Sequence, residues 1–561
     1  MKALDWRSLI SIASRASEEE KRRLLLDGIY CVVKNWRGPL PDLLEIFRPE
    51  KIECLLSYAV TDQEGDEKAR IRFIKFVVDT GYRDQPKIGT DGQYVLHRTT
   101  PIHLVSRVKI RNSSEIIHLL FKIYDRFDLN YTDEGGLTHF HAACSIPIPD
   151  RHQLVMKFLE HKQNPNIIVQ GYSLFRLDLH NGWQLAPELL KRGADPTWVD
   201  ADGSTALHTI CRDKRVDLLK LFFEIVDKHR KAVQINVRDS LGKTPLHLAV
   251  ESGKVTTFKL LLTRGADVNS VNEEGSTLLH LICQRLDSYK FVEILFKIAN
   301  DIGKPVWVNI QDKEGNTPLH VAISHRSKTT SKILLVNGSN PNLADKDGCT
   351  ALHLISSNTK TCDAMRHFFE IIDDMQQTVQ INARDNKGWT PLHVAVHSGS
   401  RSKFQLLLKR GADPNVTNHD GQTALHFVCR RDDYGFMWNF FNIIDDMQQP
   451  VEIDARDIMG QTPLLLALFN ANTKMAEHLL WADADPNLAD NEGWTPLHVI
   501  CIKCNRFLKK FFKINAERQK PVEINATTIE GRTPLKLLRD HMPSNYKEAS
   551  RYLEALGAEL E

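Results

Sequence analysis

Along most of this 561-residue chain, apolar side chains come in two short clusters per block, with polar stretches between blocks. In one clear block Leu246, Ala249 and Val250 form the first cluster, and Phe258, Leu261 and Leu262 the second. Spacings of three and four residues place each cluster on one face of a helix, so the block predicts two short helices. Thr244 can cap the first with its hydroxyl. Pro245 takes the first helical position, where no backbone N–H is needed. Gly265 supplies the left-handed residue that ends the second helix. One such pair cannot bury its apolar faces alone, so its stability must come from its neighbours.

The block is copied many times. Thr-Pro-Leu-His stands at Thr244, Thr317, Thr390 and Thr495. Equivalent threonines fall at 205, 244, 277, 317, 350, 390, 423, 462, 495 and 533, with spacings of 39, 33, 40, 33, 40, 33, 39, 33 and 38. Short and long units alternate, so the sequence period is a pair. Thr100, Thr138 and a degenerate Ser173 extend the array upstream, giving thirteen candidate units, the last of them a cap. The extra residues of long units follow the second helix. Leu406-Leu407-Leu408-Lys409-Arg410-Gly411 stops at glycine, whereas Phe369-Glu370-Ile371-Ile372-Asp373-Asp374-Met375 runs on without one. Phe223, Phe441 and Phe512 repeat the long design. Alternate second helices are therefore expected to be longer by one to two turns and to form a ridge. Small and large residues also swap places between forms, Ala249-Val250 and Ala395-Val396 against Ile210-Cys211 and Val428-Cys429, as interdigitating layers require.

The complete unit, Asp-x-x-Gly-x-Thr-Pro-Leu-His, then two helices, then Gly-Ala-Asp-x-Asn, closely resembles the ankyrin repeat from about Thr100 onward. The clearest copy runs from Asp239 through Gly242 and Thr244 to Gly265-Ala266-Asp267 and Asn269. The resemblance implies an all-α ankyrin-repeat solenoid with β-hairpin fingers, used as a protein-binding surface. The alternating repeat lengths and Phe47–Glu50 are similar to ankyrin-only and ankyrin-rich insect proteins. Residues 1–95 are expected to form a helical N-terminal cap with a degenerate repeat, 96–532 the array, and 533–561 a C-terminal capping repeat.

A formal net charge of +2, with 42% hydrophobic and 26% charged residues, points to neither nucleic acid nor an anionic membrane as partner. Met1–Ser17 lacks a sustained apolar stretch and no apolar run approaches a membrane span, so neither secretion nor membrane insertion is expected. Ten cysteines in so long a chain do not resemble a disulfide scaffold. A cytosolic monomer is expected, with the nucleus as the alternative compartment. Asn112, Asn415 and Asn525 begin glycosylation sequons, a pattern that chance often produces.

The histidines at 103, 141, 208, 247, 280, 320, 353, 393, 426 and 498 hold one repeat position. A catalytic base need occur once, so a recurring histidine reads as structural. Cys144, Cys211, Cys283, Cys429 and Cys501 also share one position and read as small core residues. Cys501 and Cys504 form a lone C-x-x-C, half a zinc site. No phosphate loop, zinc helix, nucleophile elbow or kinase motif appears. No enzyme activity, metal or cofactor is expected.

Binding is sought at irregular, outward positions. Trp389, Ile458, Met459, Trp494 and Ile529 place apolar groups at or beside finger tips in the C-terminal half. The competing reading is that each tryptophan covers the adjacent finger. A second set, Arg212, Arg285, Arg430, Arg431 and Lys503, follows the first helix of long units and could meet an acidic segment in a salt-sensitive way. The leading function is a non-catalytic protein-interaction scaffold or adaptor. The alternative is the substrate-recognition subunit of a ubiquitin ligase, although no ligase-recruiting PRANC or F-box segment maps onto Thr533–Glu561. Asn269 and Asn415 occupy the position that asparaginyl hydroxylases modify in some ankyrin repeats.

Overall fold

The computed structural model describes residues 18–61, 67–107, 113–145, 151–169, 172–180, 185–213, 216–228, 233–357, 362–431, 433–447, 450–541 and 546–559. The chain divides into two compact units, Met1–Asp267 and Val268–Glu561. Both are helical, and among the described residues only Ile168–Val169 and Tyr172–Ser173 pair as strands. The expected hairpin fingers are turns closed by single bridges, such as Val271 with Thr277 and Ala344 with Thr350.

In the second unit each repeat is a helix pair, for example Pro391–His397 with Arg401–Lys409. First helices stack on first helices and second on second. Leu392, Ala395 and Val396 are buried from one layer, and Phe404, Leu407 and Leu408 from the other. The alternation expected from the spacing is present. Second helices Lys328–Val336, Arg401–Lys409 and Thr473–Trp481 have nine residues each. The intervening Ser288–Asp301, Asp363–Asp374 and Tyr434–Met447 have 14, 12 and 14. The last long unit has ten, Leu508–Glu517, after a tight turn at Asn505–Phe507. Ser288 and Lys328 both start eleven residues after their threonines, so the extension lies at the C-terminal end and amounts to about one turn. The stop signal is displaced rather than lost. Gly338 (φ +90°) and Gly411 (φ +89°) end short helices, whereas Gly303 (φ +67°), Gln376 (φ +52°) and Gln519 (φ +57°) do so a turn later in long ones.

Three periodic devices join neighbours. Each repeat histidine accepts its threonine's backbone N–H on Nδ1, as His393 does from Thr390 at 3.0 Å. That fixes the neutral tautomer, and in the second unit, except at His320, Nε2–H donates to the next repeat: His353 to Trp389 O at 3.0 Å, His393 to Gln422 O at 3.1 Å, His498 to Arg532 O at 3.0 Å. After the second helix an asparagine, replaced once in this unit by Asp454, staples backbone to backbone. Asn342 donates to Thr378 O and accepts from Gln380 N, both at 2.8 Å. Finally, finger tips bond tip to tip, including His419 N to Lys387 O, Ile458 N to Asp420 O and Ile529 N to Glu492 O at 2.9–3.0 Å.

The first unit stacks in the same manner from residue 49. Pro49–Thr61 and Glu67–Asp79 lie on Pro101–Arg107 and Ser113–Ile123 as one repeat lies on the next, and Glu18–Asn35 packs on Glu67–Asp79. The periodic devices persist here, His103 reaching Tyr131 O and His141 reaching Ile167 O at 3.1 Å with Asn166 as a staple, and charged clusters are added to them. Arg98 pairs with Glu53 at 3.0 Å and with Asp84, and its guanidinium lies 4.5 Å from the Tyr131 ring. Arg151 and Asp178 form a buried pair, and Asp178 also accepts the N–H groups of Leu185 and Ala186.

Candidate functional site

Each finger is built from Asp-x-x-Gly or a variant of it that starts with Asn272, Asn418 or Thr528. Asp385 Oδ1 accepts the N–H groups of Lys387 and Trp389, both at 2.8 Å, which curls the loop. Gly388 (φ +74°) then lets the tip press on the next finger, since a Cβ there would stand 2.7 Å from His419 N. Tip side chains are thereby carried on a rigid, hydrogen-bonded row. Ile458 (62% exposed), Met459 (54%) and Ile529 (78%) stand on these tips.

The tryptophans behave differently from the anchors proposed for them. Trp389 is half-buried, its ring 4.8 Å from Phe427 and 5.0 Å from His397. Trp494, also half-buried, packs 6.4 Å from Phe469 and 6.1 Å from His498. Both lie at the residue just before the threonine cap, where a large side chain falls back onto the first helices. They support the tips more than they extend them.

The cations do not form one set either. Arg212 and Arg430 stand seven residues after their threonines, but Arg285, Arg431 and Lys503 stand eight after theirs. On a helix end that one-residue shift turns the side chain by about 100°. Arg285 is drawn in to Asp287 at 2.8 Å and over Phe291. Arg431 reaches back to His397 O at 3.1 Å. Arg212, Arg430 and Lys503 are exposed, Arg430 with a long 3.3 Å contact to Gln422.

The recurring histidines and cysteines are interior groups. His141 and His393 are pushed down to about 4 by burial, and His208, His280, His353, His426 and His498 are lowered for the same reason. Burial raises the Cys144 and Cys501 thiols to about 12, far from a reactive thiolate. Cys501 and Cys504 are both free thiols. Among the described residues no group of three His, Cys, Asp or Glu side chains converges. A cavity of about 260 Å³ between Lys328–Val336 and Asp363–Asp374 is lined by Ile323, Leu335, Ile355, Phe368 and Ile371. Its ionisable lining is Arg326, Lys328 and His367, with no carboxylate to complete an acid–base pair. Among the described residues no helix is long and apolar enough to cross a membrane.

The sequons at Asn415 and Asn525 fall on the interrepeat staple. Asn415 Nδ2 donates to Pro450 O at 2.8 Å and Asn525 Nδ2 to Gly557 O at 3.0 Å, bonds that a glycan would break. Asn112 lies outside the described residues. Asn269, raised above as a hydroxylation position, is another staple, donating to Pro305 O and accepting from Trp307 N.

Stacked helix pairs, capped by Thr-x-x-His and joined through stapled fingers, define a helical-repeat protein of the kind used for protein–protein interaction. The family model for ankyrin repeats, three copies per match, fits residues 179–272, 256–345, 327–418 and 402–490, more than half of the sequence. The chain belongs to the ankyrin-repeat family. It is 27% identical over 331 residues to human transient receptor potential cation channel subfamily A member 1, covering 52% of this chain and 28% of that protein. It is 29% identical over 313 residues to the chicken nuclear factor NF-kappa-B p105 subunit, covering 53% and 30%. The chain thus spans less than a third of the length of either relative. Among solved structures, the ankyrin repeat domain of Bcl-3 is 23% identical, with a TM-score of 0.30, covering 47% of this chain and 95% of that one.

Proposed function

We propose that this chain is a non-catalytic scaffold whose second unit captures a protein partner through the tips carrying Ile458, Met459 and Ile529, backed by Trp389 and Trp494. The observation carrying this reading is apolar exposure on a backbone already fixed tip to tip, so that little ordering is lost on binding. Exposed Arg430 and Lys503, on the same unit, would add salt-sensitive contacts at the edge of such an interface. The tip residues are better test positions than the tryptophans, whose loss would disturb packing.

The test is affinity purification of the full chain beside an Ile458→Asp, Met459→Asp, Ile529→Asp variant with an unchanged melting temperature. A protein set captured by the parent and lost from the variant is expected. An identical set from both rejects the tips as the binding surface. Recovery of a cullin complex in the captured set would favour the substrate-receptor alternative over a plain scaffold.

A further inference from the structure

Where a long second helix meets the short one after it, the chain twice builds the same ionic and aromatic contact. Arg264 lies 4.5 Å from the Phe223 ring centroid and donates to both Asp227 oxygens at 2.9 and 3.0 Å. Arg410 lies 4.6 Å from the Phe369 ring and 2.8 Å from Asp373. In each case the phenylalanine and aspartate are four residues apart on one helix, which places them on the same face. At a third junction the equivalent positions hold Phe296, Asn300 and Asn337, so both charges are absent together. The fourth is uneven. Phe441 and Asp445 keep the aromatic and acidic halves, but Ala482 stands where Arg264 and Arg410 stand. Asp445 is exposed and has no ion pair among the described residues.

Two neighbouring positions change with it. Trp438, 51% exposed, occupies the place of Lys220 and Arg366, which removes a competing cation and adds an aromatic wall. His478 replaces Leu260 and Leu406, its ring near-parallel to Phe441 with 6.5 Å between centroids. Trp481, 43% exposed, lies one residue before Ala482.

We propose that Phe441, Asp445, Trp438 and Trp481 form a receptor for an arginine side chain on a segment of another protein. The guanidinium would stack on the aromatic face and bond the Asp445 carboxylate, as Arg410 does with Phe369 and Asp373 within this chain. Arginine is favoured over lysine because a planar fork can stack and bond a carboxylate at once.

The probe is acetyl-Ala-Arg-Gly-Ala-amide, which copies the Arg-Gly-Ala of the two intact contacts. It is titrated into the full chain labelled with fluorotryptophan, and the fluorine signals are assigned with Trp438→Phe and Trp481→Phe. Saturable shifts of those two signals are expected, with half-saturation at about 1–30 mM for so small a ligand. Asp445→Asn should weaken binding at least about fivefold, and Ala482→Arg should abolish it by filling the site from within. Equal binding of the citrulline peptide, insensitivity to Asp445→Asn, or no saturable shift would each overturn the proposal. Dimerisation of the parent that Asp445→Asn abolishes would assign the site to a second copy of this chain, and would overturn it as well. None of these outcomes depends on the finger tips.

Discussion

The segment from Pro49 to Lys191 and the repeats from Thr277 onward stack helix pairs in the same way, but the earlier one adds charged clusters to the devices they share. The later repeats use neutral, recurring hydrogen bonds, histidine to carbonyl and asparagine to backbone, so each junction resembles the last. The earlier segment keeps such bonds at His103, His141 and Asn166 and adds single charged clusters, Arg98 with Glu53 and Asp84, and Arg151 with Asp178. A repeat can thus lose its sequence signature and keep its place in the stack if some other group satisfies the buried polar atoms. The cost is local fragility. A neutral device shares its load with identical neighbours, whereas removing one member of a charged cluster leaves an unpaired ion.

The largest expected effect follows. Arg98→Met leaves the Glu53 and Asp84 carboxylates facing each other with little solvent, and should destabilise the first unit by about 3–5 kcal/mol. His393→Ala in the second unit frees neutral groups, the Thr390 N–H and hydroxyl and the Gln422 carbonyl, which should cost about 1–3 kcal/mol. Urea unfolding read by hydrogen exchange at residues 100–131 and 390–426 compares the two directly. Equal losses would remove the distinction.

Acid acts on both regions through buried histidines, His103, His139 and His141 in the earlier one, where Glu53 opposes them. A histidine whose folded pKa is depressed stabilises the fold fully above about 6.5, its unfolded value, and the contribution is lost as pH falls toward the folded pKa. For His393 that window runs from about 6.5 down to about 4. Each such histidine adds a slope of roughly 1.4 kcal/mol per pH unit within its window. Glu53 runs the other way, because burial raises its carboxyl pKa despite the opposing charge of Arg98. Its ionisation costs stability above that raised value, and the cost is relieved as pH falls. Melting between pH 7 and 4.5 should therefore weaken the second unit steeply, and replacing His393 with glutamine should flatten its slope. Replacing Glu53 with glutamine should steepen the loss in the first unit.

These contrasts follow what could be read from residues alone. Thr-x-x-His, the alternating spacings and the longer second helices were legible because each recurs, and recurrence marks a structural role. The Arg98 cluster was not, since Glu53, Asp84, Arg98 and Tyr131 share no repeat position and meet only through stacking. The cations were misgrouped because Arg430 and Arg431 are adjacent in sequence yet point differently at a helix end. Trp389 was expected at or beside a tip, but which way a large side chain turns depends on Phe427 one repeat later. The Phe441 and Asp445 site shows only when four junctions are aligned in space.

One junction departs from the neutral rule and offers a smaller test. Asp454 stands where other repeats carry a stapling asparagine, and both of its oxygens face Asp485 N at 3.1 and 3.2 Å. Lacking an amide, it cannot donate to the Asp483 carbonyl, which Lys520 takes instead. Burial, with repulsion from Asp485, raises its pKa. Asp454→Asn should stabilise the second unit by about 0.5–1 kcal/mol at pH 7. The gain should shrink as pH falls through the raised pKa, where the aspartate becomes neutral too. A gain independent of pH would mean that the carboxylate charge is not the cause.

The smallest effect concerns how long helices end. Gln376 holds φ at +52°, a left-handed conformation that costs a residue bearing Cβ about 1–2 kcal/mol, whereas Gly303 fills the equivalent place in the preceding long unit without that strain. Gln376→Gly removes the strain but gives the unfolded chain more freedom to lose, about 0.5–1 kcal/mol. The net gain should be a few tenths of a kcal/mol and confined to the end of Asp363–Asp374, while Gly303→Gln should lose about as much. Amide exchange at Met375–Gln377 and at Ile302–Lys304 reads both ends. If Gln376→Gly instead speeds exchange through Phe369, the glutamine side chain must be securing the extension, and the extra turn would owe its existence to that residue rather than to the buried Phe369, Ile371 and Ile372.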